Sequence, residues 1–224
     1  MTVLDALPRD RLLAEFSLWS ADLARLADEV ARVDPWVDLY HVDVADGHFS
    51  PALLYFPDLV AAVRRCTARP IHVHLMVSDA ILRSQVEQFA EAGADLLSVH
   101  AENANAGEAL DLIAARGLRA GLVLQLHTPV AAATPHLSRI AMLTLLGTRI
   151  GIKGQGLDPA AEARLREARG LIGPDRLLAA DGGIREHTVP GLRAAGADTV
   201  VMGSLAFNDP DLPGRIGRVR SLHG

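Results

Sequence analysis

Three short apolar segments carry side chains able to hold a divalent cation. The first, HVDVADGHF at residues 41–49, sets His41 and Asp43 two residues apart. In a strand, residues i and i+2 point to the same face. An imidazole nitrogen and a carboxylate oxygen then converge on one spot, as a divalent metal requires. The turn signal Asp46-Gly47 follows, which places the pair near the C-terminal end of its strand. The second segment, PIHVHLMV at 70–77, puts His72 and His74 on one face, and the third, LLAADGGI at 177–184, ends in Asp181-Gly182-Gly183. Each has a plain alternative, a core histidine bonded to a carboxylate or a polar group satisfied at a strand edge. Three together point to one site, provided that the fold gathers them.

The elements that would do so alternate throughout. Strand-like runs are expected at 15–20, 37–44, 70–76, 95–100, 119–124, 140–146, 176–180 and 198–202. Helical patterns lie between them at 21–33, 58–66, 79–92, 107–116, 129–136, 158–170 and 185–195. A last one, at 204–217, is interrupted by Pro210 and Pro213. Ser20 or Asp22 suits the cap of the first helix and Asp158 that of the sixth, while Gly93, Gly117 and Gly196 suit helix ends. Eight β/α units imply a parallel sheet with helical crossovers. The expected fold is a single (β/α)8 TIM barrel over residues 1–224, with a doubly wound open sheet as the alternative. The repeated AGAD at 92–95 and 195–198 reads as barrel periodicity. In such a barrel the active site lies at the C-terminal ends of the strands. His41, Asp43, His74 and Asp181, from the second, third and seventh units, would share one mouth.

Composition bounds the partners. The chain has 224 residues, half of them hydrophobic, with a formal net charge of −5. It has no basic, aromatic-interleaved stretch that would suit nucleic acid. No apolar run reaches the roughly 18 residues of a membrane span, so the expectation is a soluble cytoplasmic protein with neither nucleic acid nor membrane as partner. A single cysteine, Cys66, excludes an internal disulfide and a cysteine zinc cage, and is expected as a buried helix residue.

Glycine-rich turns suggest an anion site. Gly182-Gly183 and Gly203-Ser204 follow the last two strands, where barrels often grip phosphate with backbone N–H groups and a helix N-terminus. The loop GTRIGIKGQG at 147–156 is long and reads as a lid. Arg149 and Lys153 on it either add positive charge near a phosphate or are solvated surface charges.

Taken together, FSLWSADLARL, HVDVADGHFSP, HVHLMV, FAEAGADLLSVHAEN, GLVLQLHTP, AADGGI and AGADTVVMGSLAF resemble the ribulose-phosphate 3-epimerase family through nearly the whole chain. The resemblance implies a TIM barrel, a phosphorylated ketose substrate, one divalent metal ion (Zn2+, Fe2+ or Mn2+) and a homo-oligomer. It makes His41, Asp43, His74 and Asp181 the metal ligands, with Asp43 and Asp181 also the acid/base pair. His74 would also face the substrate. Ser17 and Met76 match substrate-contacting positions, and Gly182, Gly183, Gly203 and Ser204 match the phosphate grip, with Gly154 in the lid beside them. The apolar run Leu53, Leu54, Tyr55 and Phe56 fits either an interface or a loop packed on its own barrel.

The chain departs from the family pattern above the expected site. Where the family loop reads close to VNPGFGGQ, this chain has GTRIGIKGQ, and Ala45 and Leu146 stand where the family has methionines. Ala52 replaces an asparagine, and Gln125-Leu126-His127 replaces LNP. The expected substrate is therefore ribulose 5-phosphate or a related tetrulose, pentulose or hexulose phosphate. Aldose–ketose isomerisation and a non-catalytic sugar-phosphate-binding barrel are the alternatives. Phosphate-gripping decarboxylases are disfavoured, because their Asp-x-Lys-x-x-Asp pattern is absent from His-Val-Asp-Val-Ala-Asp at 41–46. His48 is expected to be a structural hydrogen-bonder, His72 to pack one layer below His74, and His100 and Glu102 to line the mouth behind the ligands. His127, His136, His187 and His223 carry no expected chemistry.

Overall fold

The computed structural model describes residues 3–207 and 209–222, so His223 lies outside the described residues. Its strands are β1 (Leu13–Ser17), β2 (Leu39–Asp46), β3 (Leu53–Leu54), β4 (Ile71–Met76), β5 (Leu96–His100), β6 (Arg119–Leu124), β7 (Met142–Leu146), β8 (Leu177–Asp181) and β9 (Thr199–Met202). The helices are α1 (Leu26–Val33), α2 (Pro57–Arg64), α3 (Asp79–Glu91), α4 (Ala106–Ala115), α5 (Ala161–Ile172), α6 (Val189–Ala194), α7 (Ser204–Phe207) and α8 (Leu212–Arg220). All strands except β3 are parallel and pair in sequence order, and β9 returns to β1 to close the ring. This is the expected (β/α)8 TIM barrel, and the open-sheet alternative falls with the closure.

Several boundaries differ from expectation for local reasons. The first strand begins at Leu13, tied by its N–H to the Asp198 carbonyl, and stops at Ser17, where residues 18–20 turn into a 3-10 helix. The expected helix at 21–33 starts only at Leu26, because Asp22 caps a 3-10 turn by accepting the Ala24 N–H at 3.1 Å. Residues 130–139 form a 3-10 segment containing Pro135, in place of an α-helix. The expected helix at 185–195 shrinks to α6, and that at 204–217 divides into α7 and α8 around residues near Pro210. Strand β2 runs on to Asp46, since Ala45 and Asp46 pair with Leu54 and Leu53 of β3. His41 and Asp43 therefore sit inside the strand, not at its last residues. Cys66 is exposed, not buried, because α2 ends at Arg64 and the cysteine falls in the turn beyond it.

Alternation along the strands divides the core into two. Residues such as Ala14, Phe16, Tyr40, Val42, Ile71 and Val73 join the large cluster under the helices. Leu13, Leu39, Leu96, Met142, Leu177 and Ala179 form a separate cluster with Leu4, the apolar floor of the barrel interior. Two residues further along the same faces the interior turns polar. Glu15, His41, Ser98, Thr144 and Asp181 follow Leu13, Leu39, Leu96, Met142 and Ala179. The chain thus supplies a hydrophobic base and a polar upper barrel from one strand periodicity.

Arg11, before β1, and Arg220, at the end of α8, are both bonded to Asp38, just before β2. Arg11 Nη1 and Nη2 donate to the two Asp38 carboxylate oxygens at 2.8 and 2.7 Å, Ala14 N–H donates at 2.8 Å, and Arg220 of α8 donates at 3.1 Å. Burial alone would raise the Asp38 pKa, but Arg11, the Ala14 amide and Arg220 together hold it below the usual carboxylate value. A depressed folded-state pKa adds stability that is present above the unfolded value and lost as pH falls through the folded one. Asp38→Ala is expected to remove about 3 kcal/mol, since it strands two partly buried arginines. Thermal unfolding should show a lower Tm for this variant near pH 7, with the gap from wild type narrowing as pH falls below 4.

Candidate metal and substrate site

The site is assembled on the inner face of the barrel by strand register. His41 lies beside His72, and Asp43 beside His74, in the β2–β4 ladder, and Ser17 lies beside His41 across β1–β2. Asp181 closes the group from the end of β8. His41 Nε2 is 3.1 Å from Asp43 Oδ1 and 4.0 Å from Asp181 Oδ2. His74 Nδ1 is 3.3 Å from Asp43 Oδ1 and 3.7 Å from Asp181 Oδ2. One donor atom from each of the four falls within 4.8 Å of the others. All four sequence-predicted ligand residues are therefore brought together. Ser17 Oγ–H donates to the other oxygen, Asp43 Oδ2, at 2.9 Å.

The outer nitrogens of both imidazoles are engaged, which aims the inner ones. Glu102 accepts from His100 Nδ1–H at 3.0 Å, so His100 Nε2 accepts the proton of His74 Nε2 at 2.8 Å. His74 Nδ1, facing the aspartates, is then the nitrogen that exchanges a proton for a cation. Burial lowers the His100 pKa to about 4, against the pull of Glu102, which keeps it neutral as this relay needs. Glu102 is in turn fixed by the Gln125 N–H at 3.0 Å and by the Thr128 hydroxyl. Behind His41 stands Glu15 on β1, whose Oε1 is 2.7 Å from His41 Nδ1 and 2.6 Å from His72 Nδ1.

Glu15 is the residue that sequence reasoning missed. Its signal was a lone acid inside the apolar run LAEFS, in step with Leu13 and Ser17. His72 does pack one layer below His74, and His48 bonds its own turn through the Asp46 carbonyl at 3.0 Å.

The charges of the cluster compensate one another unevenly. Burial disfavours a charged His41, yet Asp43 and Glu15 outweigh it and hold the imidazole pKa well above normal. Asp43 is held well below the usual carboxylate range, since His41 and His74 overcome its burial. Asp181 goes the other way, raised to about 6 by burial and by the Asp43 charge. Two imidazoles and two carboxylates, mutually close and largely buried, match the donor set of a divalent-ion site. Proton and metal compete for the same lone pairs. The residues present fit such an ion.

Above the cluster opens a cleft of about 480 Å3. Ser17, Asp43, His74, Met76, Asp181, Gly154, Gly182, Gly183, Gly203 and Ser204 all line it, whereas His41 lies buried beneath. Leu146, Trp19 and Arg185 also line it, and the last two were not expected. The 147–156 loop crosses the mouth. Lys153 Nζ donates to the Trp19 carbonyl and sits 4.7 Å from the Trp19 ring centroid. Gln155 Nε2 ties the loop to itself through the Arg149 and Ile152 carbonyls at 3.0 and 2.9 Å. At the rim, Leu53 and Phe56 are 80% and 60% exposed, while the Tyr55 hydroxyl donates to the Leu18 carbonyl at 2.8 Å. That run is thus divided between packing and exposure.

Fold and site together define a TIM barrel with a paired His/Asp cluster at its C-terminal mouth. The chain belongs to the ribulose-phosphate 3-epimerase family, whose model matches residues 13–207. It is 34% identical over 210 residues to the ribulose-phosphate 3-epimerase of Bacillus subtilis (strain 168), covering 91% of this chain and 96% of that protein. With the Escherichia coli (strain K12) ribulose-phosphate 3-epimerase it shares 35% over 213 residues, covering 92% and 93%. Among solved structures, a 3-hexulose-6-phosphate synthase superposes with TM-score 0.69 at 15% identity, covering 95% of this chain and 100% of that one. An orotidine 5'-phosphate decarboxylase from Pyrococcus horikoshii OT3 gives 0.67 at 15%, covering 92% and 97%. At that identity these two show the shared barrel alone.

Two glycines test the cleft wall. Gly183 has φ +73° and a Cβ there would lie 2.6 Å from Leu157 Cα, whereas Gly154 has φ +81° with nothing within 4 Å. Gly154→Ala should cost about 1 kcal/mol, the left-handed backbone penalty. Gly183→Ala should cost distinctly more, because backbone must also shift, and denaturant titration of the two variants should rank them in that order.

Proposed function

We propose that this protein is a metal-dependent ketose-phosphate 3-epimerase that works through an enediolate with Asp43 and Asp181 as its acid/base pair. The observation that carries the reading is the convergence of two carboxylates and two imidazoles under a cleft of about 480 Å3, in a chain of this family. His41, Asp43, His74 and Asp181 would hold one divalent ion, with Zn2+, Fe2+ and Mn2+ all compatible with the donors. When bound, the ion supplies Lewis-acid stabilisation of the charge that builds on the substrate oxygens beside C3.

The chain's own groups do the proton work. Epimerisation removes the C3 proton next to a carbonyl and returns one to the opposite face, so two bases are needed. Asp43 and Asp181 have pKa values pushed in opposite directions, one low and one raised to about 6. That split suits one carboxylate accepting a proton while its partner holds one. Ser17 Oγ–H on Asp43 Oδ2 orients that carboxylate. Met76 is nearly fully buried and keeps the cleft floor beside the reacting carbons apolar. Backbone N–H groups around Gly182, Gly183, Gly203 and Ser204 would receive the phosphate, with Gly154 in the lid above.

The sugar remains ribulose 5-phosphate or a tetrulose, pentulose or hexulose phosphate close to it. The lid favours selection by charge, since Arg149 and Lys153 both line the cleft. We further propose one barrel domain spanning 1–224, a cytoplasmic location and a homo-oligomer in which exposed Leu53 and Phe56 take part. None of the described helices is long and apolar enough to cross a membrane.

Deuterium incorporation at C3 in D2O, across ketose 4-, 5- and 6-phosphates, tests the chemistry. One compound should exchange rapidly, and Asp43→Asn and Asp181→Asn should each slow it by about a thousandfold. Chelation should abolish exchange and a divalent ion restore it. Metal-loaded protein that exchanges no ketose phosphate would instead indicate a binding barrel. Lys153→Ala should raise KM several-fold for the preferred substrate and change kcat much less, if its ammonium holds the anionic group.

A further inference from the structure

We infer that Glu15 is the positioning residue of the metal centre, a buried carboxylate that fixes which nitrogen of His41 faces the cation. This rests on the metal-centre reading above. Glu15 is fully buried, yet it touches none of the cleft and belongs to neither the donor set nor the acid/base pair. A buried carboxylate without such a task would be costly to keep.

Its bonds define the tautomers of two imidazoles. An ionised carboxylate only accepts. His41 and His72 both approach Glu15 Oε1 through Nδ1, at 2.7 and 2.6 Å, so both carry a proton there. His41 Nε2, which faces Asp43 and Asp181, is then the nitrogen at which a cation would replace a proton. His72 Nε2 becomes an acceptor, and Ser98 Oγ–H donates to it at 2.6 Å. Thr199 Oγ1 occupies the other carboxylate oxygen at 3.1 Å. The two rings pack edge to face, with centroids 4.9 Å apart.

The neighbouring strand accommodates the same network. A Cβ at Gly121 of β6 would fall 2.0 Å from Ser98 Oγ, so the absence of a side chain there leaves room for the serine hydroxyl. Glu15, His41, His72, Ser98 and Thr199 come from β1, β2, β4, β5 and β9. A carboxylate behind a metal-binding imidazole also raises the basicity of the ligand nitrogen, and removing such a partner typically weakens metal binding ten- to a hundredfold.

Glu15→Gln removes the charge and little else, since a glutamine NH2 could still donate to Thr199 Oγ1. Zn2+-loaded wild type and variant are competed against a chelator, and their Co2+-substituted absorption spectra compared. Glu15→Gln is expected to bind Zn2+ about ten- to a hundredfold more weakly, with an altered Co2+ spectrum, a lower kcat and a nearly unchanged KM. Equal Zn2+ affinity and an identical spectrum in both Glu15→Gln and Glu15→Leu, with only a lower Tm, would reduce Glu15 to a packing role and overturn the inference. Wild-type protein that fails to retain Zn2+ or Co2+ at all would sink the metal reading itself. Should the variant not fold, imidazole 15N spectra of the wild type decide the matter. With Zn2+ bound, protonated Nδ1 on both His41 and His72 supports the assignment, and His41 protonated at Nε2 alone overturns it.

Discussion

Polar and charged groups inside the barrel must be matched by one another, because water does not reach most of them. Glu15, His41, Asp43, His72, His74 and His100 are all buried. Each is tolerated only because a neighbour supplies the complementary charge or the missing hydrogen bond. Glu15 answers His41 and His72, Asp43 answers His41 and His74, and Glu102 answers His100. The pairing continues upward until Asp181, which is left with too little compensation and rises to about 6.

The barrel makes such a network possible by separating two jobs along each strand. Its floor of Leu13, Leu39, Leu96, Met142 and Leu177 excludes water and joins the strands. One repeat higher Glu15, His41, Ser98 and Thr144 present polar groups, and one repeat higher again Ser17, Asp43 and Leu146 line the cleft, with Asp181 of β8 beside them. Rigid strands suit this arrangement, since donor atoms must be held to fractions of an ångström for both coordination and proton transfer. The loops carry what is free to vary. The lid with Arg149 and Lys153 differs from the family pattern, while the strand-borne His/Asp set keeps it.

Much of this was legible in the residues. Strand periodicity placed His41 with Asp43, and His72 with His74, on shared faces, and the recurrence of β/α patterns implied closure into a ring. Glu15 escaped notice because a single carboxylate in a strand has no local partner to mark it; its partners lie 26 and 57 residues away. Arg185 and Trp19 escaped for the same reason, since their cleft role depends on how distant loops fold over the mouth. Cys66 was misplaced because helix periodicity does not show where the final turn ends.

The sequence by itself determined which faces were polar, where strands turned into glycine-rich loops and which residue types could ligate a cation. Those properties follow from short-range periodicity and side-chain chemistry. Tertiary structure alone decided how near Asp181 comes to His41 and His74, that Glu15 sits behind His41, and that the two aspartates differ in proton affinity. Each of these depends on register between strands far apart in the chain and on the loss of solvent when the ring closes. Neither quantity exists until the barrel is complete.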